Sequence, residues 1–295
     1  MLKYKPMTKM GVVLIVGRPN VGKSTLLNNL LRQKVSITSP RPQTTRFPLE
    51  AVYEDERGQI IFVDTPGIFN STPDKLSKTI NASVETALDR ESDVILYMID
   101  PTRPRDSEEN KILGMVRKIK IPKILAINKI DLPQTHSAEY AFYEDEFPVV
   151  IKISAQTHAN LNKLLDEIFS LLLEKSPLID TAKMVQPALN LDSKTFIAEI
   201  IREKIFLNTH DEVPYTVNTY VEQIKERRVN QIYIKAKIIT TNEQYKKMLI
   251  GRHGIMIKEI GMAVRKELEA ATGKKIYIDL TVEVNADWQE TWNPT

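Results

Sequence analysis

Two short stretches combine residue types and spacings suited to phosphate chemistry. The first is GRPNVGKST, residues 17–25. It fits Gly, four residues, then Gly-Lys-Ser, with an apolar run before it and a helical pattern after it, which is the context this motif needs. Glycines let backbone N–H groups curl around phosphate oxygens, and the helix N-terminus adds its positive end. Lys23 can reach terminal phosphates, and Ser24 can ligate Mg²⁺. Gly17, Asn20, Val21, Gly22, Lys23, Ser24 and Thr25 are therefore the expected nucleotide contacts at this loop. The second stretch is MLIGRHGIMIKEI, residues 248–260, where two glycines frame a basic pair ahead of an amphipathic run.

The first loop has companions further along. VDTPG (63–67) ends an apolar run. Asp64 sits where a carboxylate can hold Mg²⁺ through water, and the Gly67 N–H can reach a γ-phosphate. NKID (128–131) follows another apolar run. Asn128 offers an amide to guanine O6/N7, Lys129 an aliphatic stem to lie over the ring, and Asp131 a carboxylate to N1–H and the 2-amino group. Adenine would leave that carboxylate unpaired, and an unpaired buried charge is costly, so the set selects guanine. SAQ (154–156) brings Ser154 and Ala155, whose N–H can meet guanine O6. An isolated NKID is usually a solvated turn. Four such motifs in order at successive strand ends are not explained that way.

The second loop fits the G-x-x-G of a KH module, in which loop and following helix clamp about four nucleotides of single-stranded RNA by their backbone. Its expected RNA contacts are Gly251, Arg252, His253, Gly254, Ile255, Lys258 and Lys247, with Ile255, Ile257 and Ile260 as apolar candidates for bases. Two glycines three apart are common in turns, so the local charge matters. Residues 244–275 hold eight Lys/Arg against three acids, whereas residues 186–295 hold sixteen against fifteen. Positive charge concentrated at the loop is what a phosphate footprint requires.

These loops need elements to position them. GVVLIV (11–16), IIFVDT (60–65), VILYMID (94–100), KILAINK (123–129) and PVVIKISA (148–155) read as strands buried on both faces. Helical patterns such as KSTLLNNLLRQ, DSEENKILGMVRKI and NLNKLLDEIFSLLLEK lie between them. The alternation predicts an α/β fold with a doubly wound, mostly parallel sheet. Residues 176–192 contain two prolines and no clear period, so the linker falls there. After it the order becomes helix (195–206), two strands (214–227 and 230–240), two helices flanking the glycine loop and a last strand (274–284), a small α+β module. The expected domains are 1–175, a linker at 176–192, and 193–295.

Composition sets outer bounds. The 295 residues suffice for about two domains. They are 42% hydrophobic and 27% charged, which is globular rather than disordered composition. With no cysteine there are no disulfides or thiolate metal sites, as befits a reducing cytoplasm. No histidine has metal-ligand spacing and no apolar run is long enough to span a membrane. A net charge of +3 says little about nucleic acid, so local patches carry that case.

The nucleotide half resembles the translation-factor class of P-loop GTPases. SITSPRPQTTR (36–46) resembles that group's first switch, whose threonine closes on Mg²⁺. Thr44 and Thr45 both qualify, and the resemblance favours Thr45, which gives Ser24, Thr45 and Asp64 as the metal set and Lys23, Thr45 and Gly67 as the catalytic one. Ras-like enzymes place a water-orienting glutamine after D-x-x-G. Here that residue is Ile68, with Gln43 and Gln59 as substitutes, so slow intrinsic turnover is expected. Asn20 resembles a K⁺-ligating asparagine of some relatives and equally suits a loop cap.

A GTPase followed by a type II KH domain resembles the Era family of bacterial ribosome-assembly GTPases. GRPNVGKSTLLNNLL, ITSPRPQTTR, VDTPGI, NKID, ISA, AEIIREKIF, DEVPYTVN and MLIGRHGIMIKEIG match its pattern, from about residue 10 to residue 288. The resemblance implies binding and hydrolysis of GTP, binding of the 16S rRNA 3′ end on the 30S subunit during its maturation, and peripheral association with the inner face of the membrane; the chain is expected to be a monomer. The segment ALNLDSKTFIAEIIREK departs from the family's usual Thr-Asp-Arg-like lead, and no amphipathic basic helix or lipidation motif provides a membrane anchor. Alternatives are a GTPase of tRNA modification or translation that uses the C-terminal module for protein contacts, and a non-hydrolysing RNA scaffold.

Overall fold

The computed structural model describes residues 8–39, 41, 44–67, 75–176, 179, 191–228 and 230–292. Gln43, Ile68 and most of the 176–192 linker lie outside the described residues. The chain separates into two compact units, one running to Asn190 and the other from Leu191 to Asn293.

The first unit is built on a seven-stranded sheet ordered β2-β3-β1-β4-β5-β6, with β7 also paired to β1. The strands are β1 (Thr8–Val16), β2 (Leu49–Asp55), β3 (Gly58–Asp64), β4 (Val94–Ile99), β5 (Lys123–Ile127), β6 (Val149–Lys152) and β7 (Leu173–Lys175). β3, β1, β4, β5 and β6 run parallel, and β2 and β7 are antiparallel to their neighbours. Every residue of β4 is buried, as the continuous apolar run VILYMI requires of a strand covered on both faces. Among the described residues, five helices connect the strands: α1 (Lys23–Leu31), α2 (Lys75–Leu88), α3 (Ser107–Lys118), α4 (Ser137–Glu146) and α5 (Leu161–Leu171). α2 buries Leu76, Ile80, Val84 and Ala87, one stripe at helical spacing. Asp106 caps α3 by accepting from the Glu109 N–H at 2.9 Å. The loops of interest all leave the C-terminal ends of parallel strands, where open α/β sheets bind their ligands.

The second unit packs α6 (Ser193–Asn208), α7 (Glu243–Ile250) and α8 (Ile255–Thr272) against a sheet ordered β10-β9-β8. β8 (Asn218–Arg228) is antiparallel to β9 (Gln231–Thr240), and β10 (Lys275–Val284) is parallel to it. β9 alternates strictly from Ile234 to Thr240, with Ile234, Ala236, Ile238 and Thr240 facing inward. α9 (Trp288–Thr291) closes the unit, its Trp288 Nε1 donating to the Thr216 carbonyl at 2.9 Å. At the departure from the family pattern, Asp192 caps α6 through the Lys194 and Thr195 N–H groups at 2.7 and 3.0 Å.

Several expected elements differ. The strand expected at 214–227 begins at Asn218, because Val213–Thr216 winds into a 3₁₀ turn with Pro214 in its first turn. The helix expected through residue 175 stops at Leu171. Leu172 is extended, and residues 173–175 pair with Thr8, Lys9 and Met10. The strand expected over 148–155 ends at Lys152. β2, α2 and α4 also arise where none was expected. α4 buries only Tyr140 and Tyr143, too sparse a signal for periodicity to reveal.

Candidate functional site

The loop at 17–22 joins β1 to α1. Gly22 is the N-cap at φ 106°, and a Cβ there would collide with the Asn128 amide, so both conformation and space demand glycine. A Cβ at Gly17 would sit 2.5 Å from the Met98 carbonyl oxygen. The Lys23 ammonium turns back over the loop and donates to the Gly17 and Arg18 carbonyls at 2.8 and 3.1 Å. Burial pushes its pKa down to about 8, against the opposing pull of Asp64.

Ser24 Oγ donates to Asp64 Oδ2 at 2.7 Å and lies 3.1 Å from Thr45 Oγ1. Ser36 Oγ donates to the same Asp64 oxygen at 3.0 Å. Asp64 is fully buried, and its Oδ1 has no hydrogen-bond partner. Burial pushes that carboxyl up, while Lys23 and the two hydroxyls pull it down. Two hydroxyls and a carboxylate with an unmatched buried oxygen are a hard-donor set that fits Mg²⁺. Of the two threonines of the first switch, Thr45 faces Ser24, whereas Thr44 Oγ1 donates to the Arg41 carbonyl at 2.7 Å. Gly67 packs on the phosphate loop so closely that a Cβ would sit 2.5 Å from the Pro19 nitrogen.

The segments expected to recognise the base, 128–131 and 154–156, meet the loop from the other side. Asn128 Nδ2 donates to the Val21 carbonyl at 2.7 Å, and its Oδ1 accepts from the Ala155 N–H at 2.9 Å. The Ala155 N–H, expected to meet guanine O6, thus donates to Asn128 in this structure. Asn128 braces the phosphate loop against the 154–156 turn and has one amide N–H beyond that brace. Lys129, at φ 63°, anchors its ammonium on Asp100 Oδ2 at 2.6 Å, which fixes the path of its aliphatic stem. Asp131 is exposed beside it, and Ser154 Oγ accepts from the Thr157 N–H at 3.0 Å. Asn20, Lys23, Ser24, Thr25, Gly67 and Lys129 all line one cavity of about 270 Å³.

Four residues that hold this site were not found from sequence. Arg18 is buried in a polar cluster. It donates to Asp106 Oδ2 and the Tyr140 hydroxyl, each at 2.7 Å, and its Nε lies 3.0 Å from Glu109 Oε2. Asn28 accepts from the Val35 and Ser36 N–H groups at 2.8 and 2.9 Å and so pins the entry to the first switch. Ser36 shares Asp64 with Ser24. Asp100 was legible only as the polar end of an apolar strand. The substitute glutamine Gln59 is also corrected: its amide brackets the Ile179 backbone, accepting at 3.1 Å and donating at 3.0 Å. It sits five residues before Asp64 in β3, about 16 Å away at strand rise, and cannot orient a water there.

The loop at 251–254 is open. Gly251, His253 and Gly254 all have positive φ, at 74°, 53° and 75°. Gly254 N-caps the 18-residue α8 with no side-chain cap, while the Ile255 N–H donates to the Arg252 carbonyl within the loop. Arg252, His253, Lys247 and Lys258 are exposed around it, and Ile255 is 54% exposed. Ile260 is completely buried in the core, which removes it from the base-contact candidates, and Ile257 packs against that core.

The protein family described as 50S ribosome-binding GTPase matches residues 12–129, and the KH domain family matches residues 195–289. The GTPase Era of Halothermothrix orenii is 41% identical over 288 residues, covering 96% of this chain and 95% of the relative. That of Carboxydothermus hydrogenoformans is 40% identical over 286 residues, covering 95% and 94%. A crystal structure of Era in complex with MgGDPNP and nucleotides 1506–1542 of 16S ribosomal RNA superposes with a TM-score of 0.88 at 38% identity, covering 96% of this chain and 95% of that one. An Aquifex aeolicus Era variant bound to GDP·AlF₄⁻ gives the same TM-score and identity, covering 96% of each chain.

Proposed function

The chain belongs to the Era family of GTPases, and from that membership we propose that it binds and hydrolyses GTP with Mg²⁺ in its first unit and uses its second to hold the 3′ end of 16S rRNA during 30S subunit assembly. The observation that carries the enzymatic half is the meeting of Ser24, Thr45 and Asp64 at the N-terminus of α1, with the Asp64 Oδ1 buried and unmatched. When bound, Mg²⁺ would be held there and would offset the charge of the β- and γ-phosphates. Lys23 supplies a cation at the terminal phosphates, and Gly67 offers its N–H to the γ-phosphate. Asn128, Lys129 and Asp131 select guanine.

The RNA half rests on the open G-x-x-G turn. Gly254, with nothing within 4 Å of where its Cβ would be, allows a close backbone approach, and the positive end of α8 favours phosphate. Arg252, His253, Lys247 and Lys258 neutralise the strand, and Ile255 offers an apolar surface to a base. We assign residues 1–175 and 193–295 as the two domains. Asn20, at φ 62° in the phosphate loop, is assigned to a monovalent cation, to be read from turnover in K⁺ against Na⁺. We place the protein in the cytoplasm. Among the described residues no helix is long and apolar enough to cross a membrane, and the peripheral membrane contact implied by resemblance has no structural support here.

The deciding experiment measures affinity for a 3′-terminal 16S rRNA oligonucleotide at several salt concentrations, with GDP and with a non-hydrolysable GTP analogue. Tighter binding with the analogue makes the two loops one switch. No binding in either state overturns the RNA half. Binding of ATP as tight as that of GTP overturns the guanine reading.

A further inference from the structure

Arg103 lies just after β4, in no motif that the sequence marks. Its guanidinium faces two ways. Nη2 donates to the Pro19 carbonyl at 2.5 Å, and Nε lies 3.3 Å from Asp100 Oδ2. That Asp100 oxygen is the one that anchors the Lys129 ammonium at 2.6 Å. The carboxylate is fully buried, and its other oxygen accepts from the Thr102 N–H at 3.1 Å and the Thr102 hydroxyl at 2.6 Å. One side chain therefore joins the residue that carries the base to the loop that carries the phosphates.

The chemistry of the Pro19 contact is directional. A trans peptide is planar, with its C=O and N–H pointing to opposite sides. Holding the Pro19 carbonyl on Arg103 turns the Asn20 N–H of the same peptide the other way, and Asn20 lines the cavity. Pro19 is also the residue against which Gly67 packs. A contiguous path thus runs from Lys129 through Asp100, Arg103 and Pro19 to Gly67.

We propose that Arg103 is a positioning residue that fixes the Pro19–Asn20 peptide for phosphate binding and, through Asp100, couples guanine recognition at Lys129 to the phosphate loop. This rests on the GTPase reading above. A lysine cannot replace it, because a compact ammonium lacks the planar fork that donates to a carbonyl and faces a carboxylate at once.

The test is a double-mutant cycle on GDP affinity with full-length protein, using Arg103→Ala, Lys129→Ala and the pair. Each single substitution is expected to weaken binding about tenfold, and the double to weaken it by far less than the product, because the two residues act through one carboxylate. Arg103→Lys should keep the wild-type melting temperature and still lose most of the affinity and the coupling. It is the variant to rely on if Arg103→Ala folds poorly. Independent, multiplicative losses overturn the coupling. Wild-type affinity and turnover in Arg103→Lys overturn the positioning role. A wild-type protein that fails to bind GDP would instead remove the GTPase reading itself.

Discussion

The loop at 17–22 is held by side chains drawn from across its sheet, whereas the loop at 251–254 is held by the two helices it joins. Around the first, Asn128, Arg103, Asp106 and Tyr140 all bond to loop residues, and Lys23 and Arg18 are buried. Around the second, the basic residues are exposed and the glycine at 254 has nothing within 4 Å of where its Cβ would be. The difference follows from what each loop must discriminate. Recognition of one base and one phosphate count needs fixed donors in a low-dielectric site, where a misplaced group is expensive. Holding a nucleic-acid backbone needs only N–H groups, positive charge and room.

The sharpest way to separate the loops is to remove the buried lysine. Lys23→Met should lower GTP turnover by about a thousandfold and leave nucleotide-free RNA binding at the wild-type level, measured by steady-state phosphate release and by filter binding. Loss of both activities together would mean that the loops are not separable.

Salt should divide them next. For four phosphates of single-stranded RNA, log affinity should fall against log salt with a slope of about −2 to −3, a loss of tens-fold between 50 and 200 mM. Lys258→Ala should flatten that slope by about 0.7, one phosphate's worth. Affinity for GDP, tied to buried groups, should change far less over the same range.

The two glycines of the second loop sharpen the contrast within it. Gly254→Asp adds a Cβ at φ 75° and a negative charge in open space. It should weaken RNA binding about tenfold while the melting temperature falls by only a few degrees. Gly251→Ala places its Cβ 2.8 Å from the Met256 nitrogen, so it should cost more stability than Gly254→Ala. Equal melting temperatures for the two alanine variants would contradict the packing described for Gly251.

The smallest effect is a pH dependence. Lys23 is lowered from 10.5 to about 8 by burial in the nucleotide-free protein. Between those values the unfolded chain holds a proton at this site that the folded one has lost, so this group's contribution to stability rises with pH. Nucleotide affinity, which needs the ammonium, should fall over the same interval. Calorimetry without nucleotide and GDP titrations from pH 7 to 9.5 check the two opposite signs.

Much of the first site could be read from residue types because its motifs sit at strand ends, and strand ends converge in a parallel sheet. Non-local contacts leave no such mark in the sequence. Asn128, expected as a base contact, is a brace between Val21 and Ala155, and those partners are far away in sequence. Arg18 and Arg103 gave no signal, since an arginine near a phosphate loop looks solvent-bound until its carboxylate partners are seen. β7 was lost for the opposite reason: LLLEK extends the apolar pattern of α5, and only the pairing with Thr8–Met10 makes it a strand. In the second unit, helix periodicity correctly placed α8 but could not say that Ile260 faces the core rather than RNA.

The pairing of β7 with β1 also has a mechanical meaning. After α5 the chain laces Leu173, Glu174 and Lys175 onto the first residues of β1, with Lys9 Nζ bound to the Leu172 carbonyl at 2.7 Å and Lys175 Nζ to Asp93 at 2.9 Å. β1 then runs without interruption to Val16, and the phosphate loop begins at the next residue. Tension that reaches Lys175 is therefore passed to the strand at whose far end, about 20 Å away, the phosphate loop begins.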